Sequence, residues 1–99
     1  MKRALCVLAV ALVGFAMAQP PVSRVGTLMS YTGALAEFGP AINNGASLAA
    51  DQLNAAASAV FGGPLIEIVT EDDATNPSQG VDRARKLVNT DGVVAIVGA

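Results

Sequence analysis

LIEIVTEDDATNPSQGVDRARKLVNTDGVVAIVGA, residues 65–99, holds two strands and the helix between them. LIEIVT, residues 65–70, is an apolar run broken by Glu67, which suits a strand with one face partly wet or near an edge. Residues 71–75 read as loop. Asn76 then offers an N-cap, Pro77 a first helical residue whose missing N–H has no partner to lose, and Gln79 the third helical position. That spacing is close to a capping box. Val81, Ala84, Leu87 and Val88 fall on one side of the helix, with Asp82, Arg83, Arg85 and Lys86 mostly on the other. Residues 89–92 stop it. VVAIV, residues 93–97, is β-branched apart from Ala95 and predicts a parallel strand buried on both faces.

Upstream the pattern repeats. Residues 23–29 suit a strand with Arg24 near its exposed start, and residues 30–39 are loop. A helix follows from Pro40, with Ala41, Gly45, Leu48, Ala49, Gln52, Leu53 and Ala56 recurring at three- and four-residue steps. Gly45 costs this helix about 1 kcal/mol against Ala and is read as letting it approach a sheet closely. Asn43, Asn44, Asp51 and Asn54 fall off that stripe, and residues 57–64 read as turn. Strand, helix, strand, helix, strand at this spacing is an α/β chain, a parallel β-α-β-α-β unit with right-handed crossovers. The first strand is expected at the centre, with the second and third on either side. Where the winding reverses, the strand ends leave a crevice. It is expected between the loop 30–39 and whatever follows Gly98.

The first eighteen residues read differently. Lys2 and Arg3 precede an apolar run over residues 4–15, and Ala16 and Ala18 place small residues before Gln19. This is the pattern of a cleavable signal peptide over residues 1–18. The run falls short of the ~20 apolar residues of a spanning helix, so no stable membrane insertion is expected after cleavage. Loss of Lys2 and Arg3 takes the formal net charge from −2 to −4. An acidic chain with no basic cluster is a poor partner for nucleic acid or anionic membrane. Cys6, the single cysteine, leaves with the signal and lies too early to carry a lipid. With no histidine and no cysteine in residues 19–99, disulfide, thiolate and transition-metal chemistry are not expected. No cofactor is expected either.

The fold invites phosphate binding, but Gly26, Gly33 and Gly39 do not form G-x-G-x-x-G, and no G-x-x-x-x-G-K occurs. Gly33 and Gly39 are read as turn geometry. EDDATNP, residues 71–77, lacks the alternating ligands of a calcium loop. Its carboxylates are read as loop hydrogen-bond acceptors and helix-dipole partners. Ser23, Ser30, Thr32, Ser47, Ser58 and Ser78 have no histidine to serve as base and no G-x-S-x-G elbow, so no catalytic residue is assigned and an enzyme is not expected. Phe38, between two glycines beside the crevice, either walls an apolar ligand or staples its loop to the helix. Tyr31 lies nearer the strand end and reads as structural.

VGTLMS followed by YTGALAEFGP, the helix NNGASLAADQLNAA, then FGGPLIEIVTEDDATNPSQGVDRARKLV and DGVVAIVGA together resemble a known family. They are similar to the start of the type I periplasmic binding proteins, in particular the branched-chain amino-acid (Leu/Ile/Val) group of ABC-transporter substrate-binding proteins. The resemblance implies that residues 19–99 are an incomplete N-terminal lobe, about the first quarter of a two-lobe protein that closes on its ligand. It implies a periplasmic location, a small amino-acid ligand and ABC-transporter permease subunits as partners. Receptors for amides, urea or aromatic acids share the scaffold, as do ligand-sensing domains. A secreted α/β enzyme is disfavoured by the missing catalytic set.

In the family, the loop after the first strand contributes an aromatic over the ligand's apolar side chain, and Phe38 stands at that place. The main anchor loop for the amino acid follows the third strand, so Ala99 stands at its threshold. The family closes its first long helix with a glycine pair. Here Asn54 is followed by Ala55, Ala56, Ala57, Ser58 and Ala59, which implies that this helix loses its left-handed glycine cap. It then runs longer, or ends by another turn before Phe61.

Overall fold

The structure is a computed structural model that describes residues 20–99. The signal peptide expected over residues 1–18, and its junction at Gln19, lie outside the described residues. Five elements follow in order: β1 (Ser23–Met29), α1 (Gly39–Phe61), β2 (Ile66–Asp72), α2 (Pro77–Asn89) and β3 (Ala95–Gly98). The sheet is parallel, in the order β2-β1-β3. The first strand is therefore central, as the alternation predicts. Ser23 pairs with Ile66 and Met29 with Asp72 along one side, and Val25 to Leu28 pair with Ala95 to Gly98 along the other.

Successive residues of β1 identify the helix on each face, because neighbouring strand side chains point to opposite sides. Thr27 is fully buried, and its Oγ1 donates to Asn43 of α1 at 2.7 Å. Gly26 faces Leu87 of α2, whose methyl groups would meet a Cβ there at 3.0–3.2 Å. The two helices thus cover opposite faces. On the α2 face Leu28, Leu87 and Val93 form the buried core, with Val69 and Ala84 packed against it.

α1 buries a different face from the one its apolar spacing predicts. Gly39, Ala50 and Ala57 are buried and Asn43 and Asn54 half-buried, whereas Leu48 is 58% exposed. Hydrogen bonding explains the rotation. Asn54 accepts from the amides of Leu65 and Ile66, both at 2.9 Å, and donates to the Ile66 carbonyl at 2.7 Å. One side chain thereby satisfies the backbone that enters β2, which would otherwise lack partners. Gly45 has open space around it and does not mediate the approach to the sheet.

The helix also runs on through residues 57–61, where a turn is expected from sequence. Its left-handed cap is not lost but moved. Gly62, at φ 81°, donates its N–H to Ser58 O. The alanine run has high helix propensity, so the helix continues until a residue without Cβ reaches the left-handed region.

β2 continues two residues beyond the expected Thr70, and β3 begins two residues later than expected, at Ala95. β3 is not buried on both faces here. All four of its residues are exposed: among the described residues it pairs only with β1, and the two helices pack on β1 and β2. Glu67 is exposed and bonds across the sheet to Arg24 at 2.9 Å, its register partner. Among the described residues no helix is long and apolar enough to cross a membrane.

Candidate ligand-binding site

The carboxyl ends of the strands carry the crevice. After β1, residues 30–38 turn back through bonds from the Ala36 amide to Gly33 O and from the Phe38 amide to Leu35 O, at 3.3 and 3.0 Å. The turn needs Gly33 at φ 85°, in the left-handed region. A Cβ there would also collide with the Ala74 carbonyl of the neighbouring loop. Gly39 has another task from the turn expected of it. It opens α1 close against the Ser30 carbonyl, where a Cβ has no room. Phe38 is the N-cap residue of α1, and its side chain makes no capping bond.

The loop after β2 clasps the loop after β1. Asp72 Oδ1 accepts from the Tyr31, Thr32 and Ala74 amides at 2.9, 3.3 and 2.8 Å, and its Oδ2 accepts from Thr32 Oγ1 at 2.7 Å. The bonds from Thr32 and Ala74 lead in favouring the charged form, and lower the Asp72 pKa from an ordinary 3.8 to about 2. Asp73 accepts from Ser30 Oγ at 2.6 Å and from the Thr75 amide at 2.8 Å. Thr75 Oγ1 donates to Thr32 O and accepts from the Leu35 amide, both at 3.1 Å. Ala74 and Thr75 hold left-handed backbone, φ 53° and 56°, to make these contacts. Asp72 and Asp73 therefore act as loop acceptors, as read from sequence. Glu71 instead pairs with Lys86 and with Arg83, the latter at 3.4 Å, and Lys86 also meets Asp91 at 3.1 Å. Its bonds to Glu71 and Asp91 raise the Lys86 pKa.

Asn76 caps α2, its Oδ1 accepting from the Ser78 and Gln79 amides at 3.0 and 3.2 Å. The reciprocal arm of a capping box is redirected. The Gln79 amide group reaches the Asp72 carbonyl at 3.4 Å, while the Asn76 N–H is taken by Asp73 O at 3.0 Å. The Tyr31 hydroxyl is buried beside Thr70 and Thr27 without a hydrogen-bond partner, and burial raises its pKa. The inward-turned hydroxyl fits the structural reading of that residue.

A cavity of about 730 Å³ opens between these loops and the first turns of the two helices. Leu28, Met29, Leu35 and Ile42 give it apolar walls, and Phe38 and Ala99 both lie on its lining. Phe38 is 53% exposed, so much of its ring is free to take a contact. Ala99 is placed by its amide, which donates to Leu28 O at 3.0 Å. The polar groups on this wall are largely engaged within the scaffold: Ser30 with Asp73, Thr75 with Thr32 and Leu35, Asn76 with α2. Among the described residues no lysine, arginine or histidine lines it. Such a wall offers van der Waals contact to an apolar group, and its one carboxylate, Asp73, is engaged with Ser30 and the Thr75 amide. Phe38 and Ala99, expected beside the crevice, both lie on this lining; the carboxylates of residues 71–77 were legible as loop acceptors, but not that Asp72 fastens the loop after β1, nor that Thr75 joins it. The signal was there in the aspartate pair followed two residues later by threonine, the composition of side-chain-bonded turns.

Residues 23–99 match the periplasmic binding protein family, and the chain belongs to it. It is 42% identical over 74 residues to an amino acid binding protein of Pseudomonas aeruginosa, covering 75% of this chain and 19% of that one. It is 34% identical over 88 residues to Leu/Ile/Val-binding protein homolog 3 of Brucella melitensis, covering 89% and 23%. The fold is similar to that of the branched-chain amino acid transporter substrate binding protein LivJ from Streptococcus pneumoniae, solved in complex with isoleucine. That similarity has a TM-score of 0.71 at 32% identity, over 80% of this chain and 22% of LivJ. The chain thus spans about a fifth of the length of the relatives it matches.

Proposed function

We propose that this chain is the first part of the N-terminal lobe of an extracytoplasmic solute receptor that binds a branched-chain or related amino acid. The receptor hands its ligand to the permease of an ABC transporter, and residues 1–18 direct its export. Phe38 contributes apolar contact to the ligand's side chain, and Ala99 leads into the loop that anchors its polar end. The observation that carries this reading is the apolar cavity at the carboxyl ends of β1 and β3, with Phe38 and Ala99 on one lining. Family membership and the names of the relatives support it. The absence of basic residues from that wall favours an aliphatic ligand part over a phosphate.

Calorimetric titration of the full-length protein carrying this chain tests the reading. Leucine, isoleucine and valine are expected to bind saturably, and acetamide, urea and benzoate not to compete. Binding of one of the latter alone would move the receptor to another solute class. Intact mass of exported material is expected to begin at Gln19; retention of Met1 would refute the export signal.

A further inference from the structure

We propose that Asp72 is a positioning residue for ligand binding: by gathering the Tyr31 and Thr32 amides and the Thr32 hydroxyl on one carboxylate, it holds the loop that carries Phe38 in its binding arrangement. The inference rests on the function proposed above. Its basis is geometric. Asp72 ends β2, in register with Met29 at the end of β1, so its backbone is fixed by the sheet. Its two oxygens take three bonds from residues 31 and 32, at 2.7–3.3 Å, and a fourth from its own loop at Ala74. None of these partners is in regular secondary structure. Between the end of β1 and Phe38 the backbone supplies only the two turn bonds at Gly33 and Leu35, while Phe38 O accepts from the Ile42 amide of α1 at 3.2 Å, so the clasp sets the path of residues 30–37 that leads to Phe38. The conformation of the loop therefore depends on the clasp from residues 72–75. Asp72 itself does not line the cavity, whereas Ser30, Leu35 and Phe38, on the loop it fastens, do. It acts through that loop rather than on the ligand.

Charge matters as well as shape. A carboxylate accepts at both oxygens, and bonds to an ionised acceptor are about twice as strong as neutral ones. Asparagine can keep its oxygen on the amides and donate its NH₂ to the Thr32 hydroxyl, but it carries no charge, so these bonds weaken, and it repels the amides if flipped. The loop then populates other arrangements. Apparent affinity falls in proportion to the competent fraction, so a loop competent about a tenth of the time binds about tenfold more weakly.

The test uses the full-length protein, with leucine as probe. Asp72→Asn is expected to bind leucine about tenfold more weakly, and Thr32→Val, which removes one donor, a few-fold more weakly. Thr32→Ser, which keeps the hydroxyl, restores wild-type affinity. Each variant is also melted without ligand, and Thr32→Val keeps the test open if Asp72→Asn does not fold. Wild-type affinity in Thr32→Val, or equal losses in Thr32→Val and Thr32→Ser, would overturn the proposal while leaving the receptor reading in place. Failure of the unsubstituted protein to bind leucine, isoleucine or valine would instead overturn the receptor reading, and this inference with it.

Discussion

Replacing Phe38 by alanine separates the two tasks that an aromatic at a crevice rim can have. Phe38 is 53% exposed in this chain. A fully covered phenylalanine buries roughly 200 Å², so a ligand seated on the ring covers on the order of 100 Å² more. At about 25 cal/mol per Å² this amounts to about 2.5 kcal/mol, a ceiling of about sixtyfold in affinity. Incomplete contact lowers it, so the expected loss for leucine is about ten- to sixtyfold. The half of the ring already covered sets the cost without ligand. A buried phenylalanine truncated to alanine loses about 3–5 kcal/mol, but a rim position that water can refill loses far less, about 1 kcal/mol. That corresponds to a drop of a few degrees in the unliganded Tm. Titration calorimetry with leucine, isoleucine and valine, beside thermal unfolding of both proteins, measures the two effects. Unchanged affinity with a clear fall in unliganded Tm would make Phe38 a staple of its loop and remove it from the site.

Other consequences can be checked in the same full-length protein. Asn54→Ala removes three bonds that tie α1 to the start of β2 and is expected to cost about 2–3 kcal/mol in urea unfolding; a midpoint within error of wild type would contradict that account. Gly39→Ala drives a Cβ into the Ser30 carbonyl and is expected to destabilise, whereas Gly45→Ala meets open space and is expected to stabilise by up to about 1 kcal/mol; reversed signs in thermal melts would show the approach of α1 to be wrongly assigned. Asp72 has a folded pKa near 2 against an ordinary 3.8, so its contribution is complete above the higher value and is lost as pH falls through the lower. Wild type is accordingly expected to lose Tm between about pH 4 and 2 more steeply than Asp72→Asn, and parallel curves would contradict this.

The alternation of strands and helices was legible because each apolar run has a length and period that only one element fits. VGTLM, IEIV and AIV lie in strands, and of the α2 stripe Ala84 and Leu87 pack on the core while Val81 and Val88 stay about half exposed. The inner face of α1 was not legible, for a physical reason. The helix is rich in alanine, so turning it about its axis changes the buried apolar area little, and its few large side chains do not outvote hydrogen bonds. Leu48 and Ile42 are left exposed, while Asn43 meets Thr27 and Asn54 caps the entry to β2. A polar residue wins the inward position when the partner there is a backbone group or hydroxyl that would otherwise stay unpaired, because leaving such a group buried and unsatisfied costs more than exposing a leucine.

The same rule governs the candidate site. Phe38 could be placed at the crevice rim from sequence because it lies between two glycines in the loop after the first strand; its contact with a ligand was implied only by the family resemblance. The clasp beneath it joins residues about forty positions apart, Asp72 to Tyr31 and Thr32, and no local period encodes such a pairing. It follows only once parallel pairing sets Met29 beside Asp72, which brings the two loops to the same end of the sheet. The crevice is thus a consequence of topology, and its polar fastening a consequence of register. A one-residue slip of β2 against β1 would turn the Asp72 side chain to the other face of the sheet and release the loop that carries Phe38.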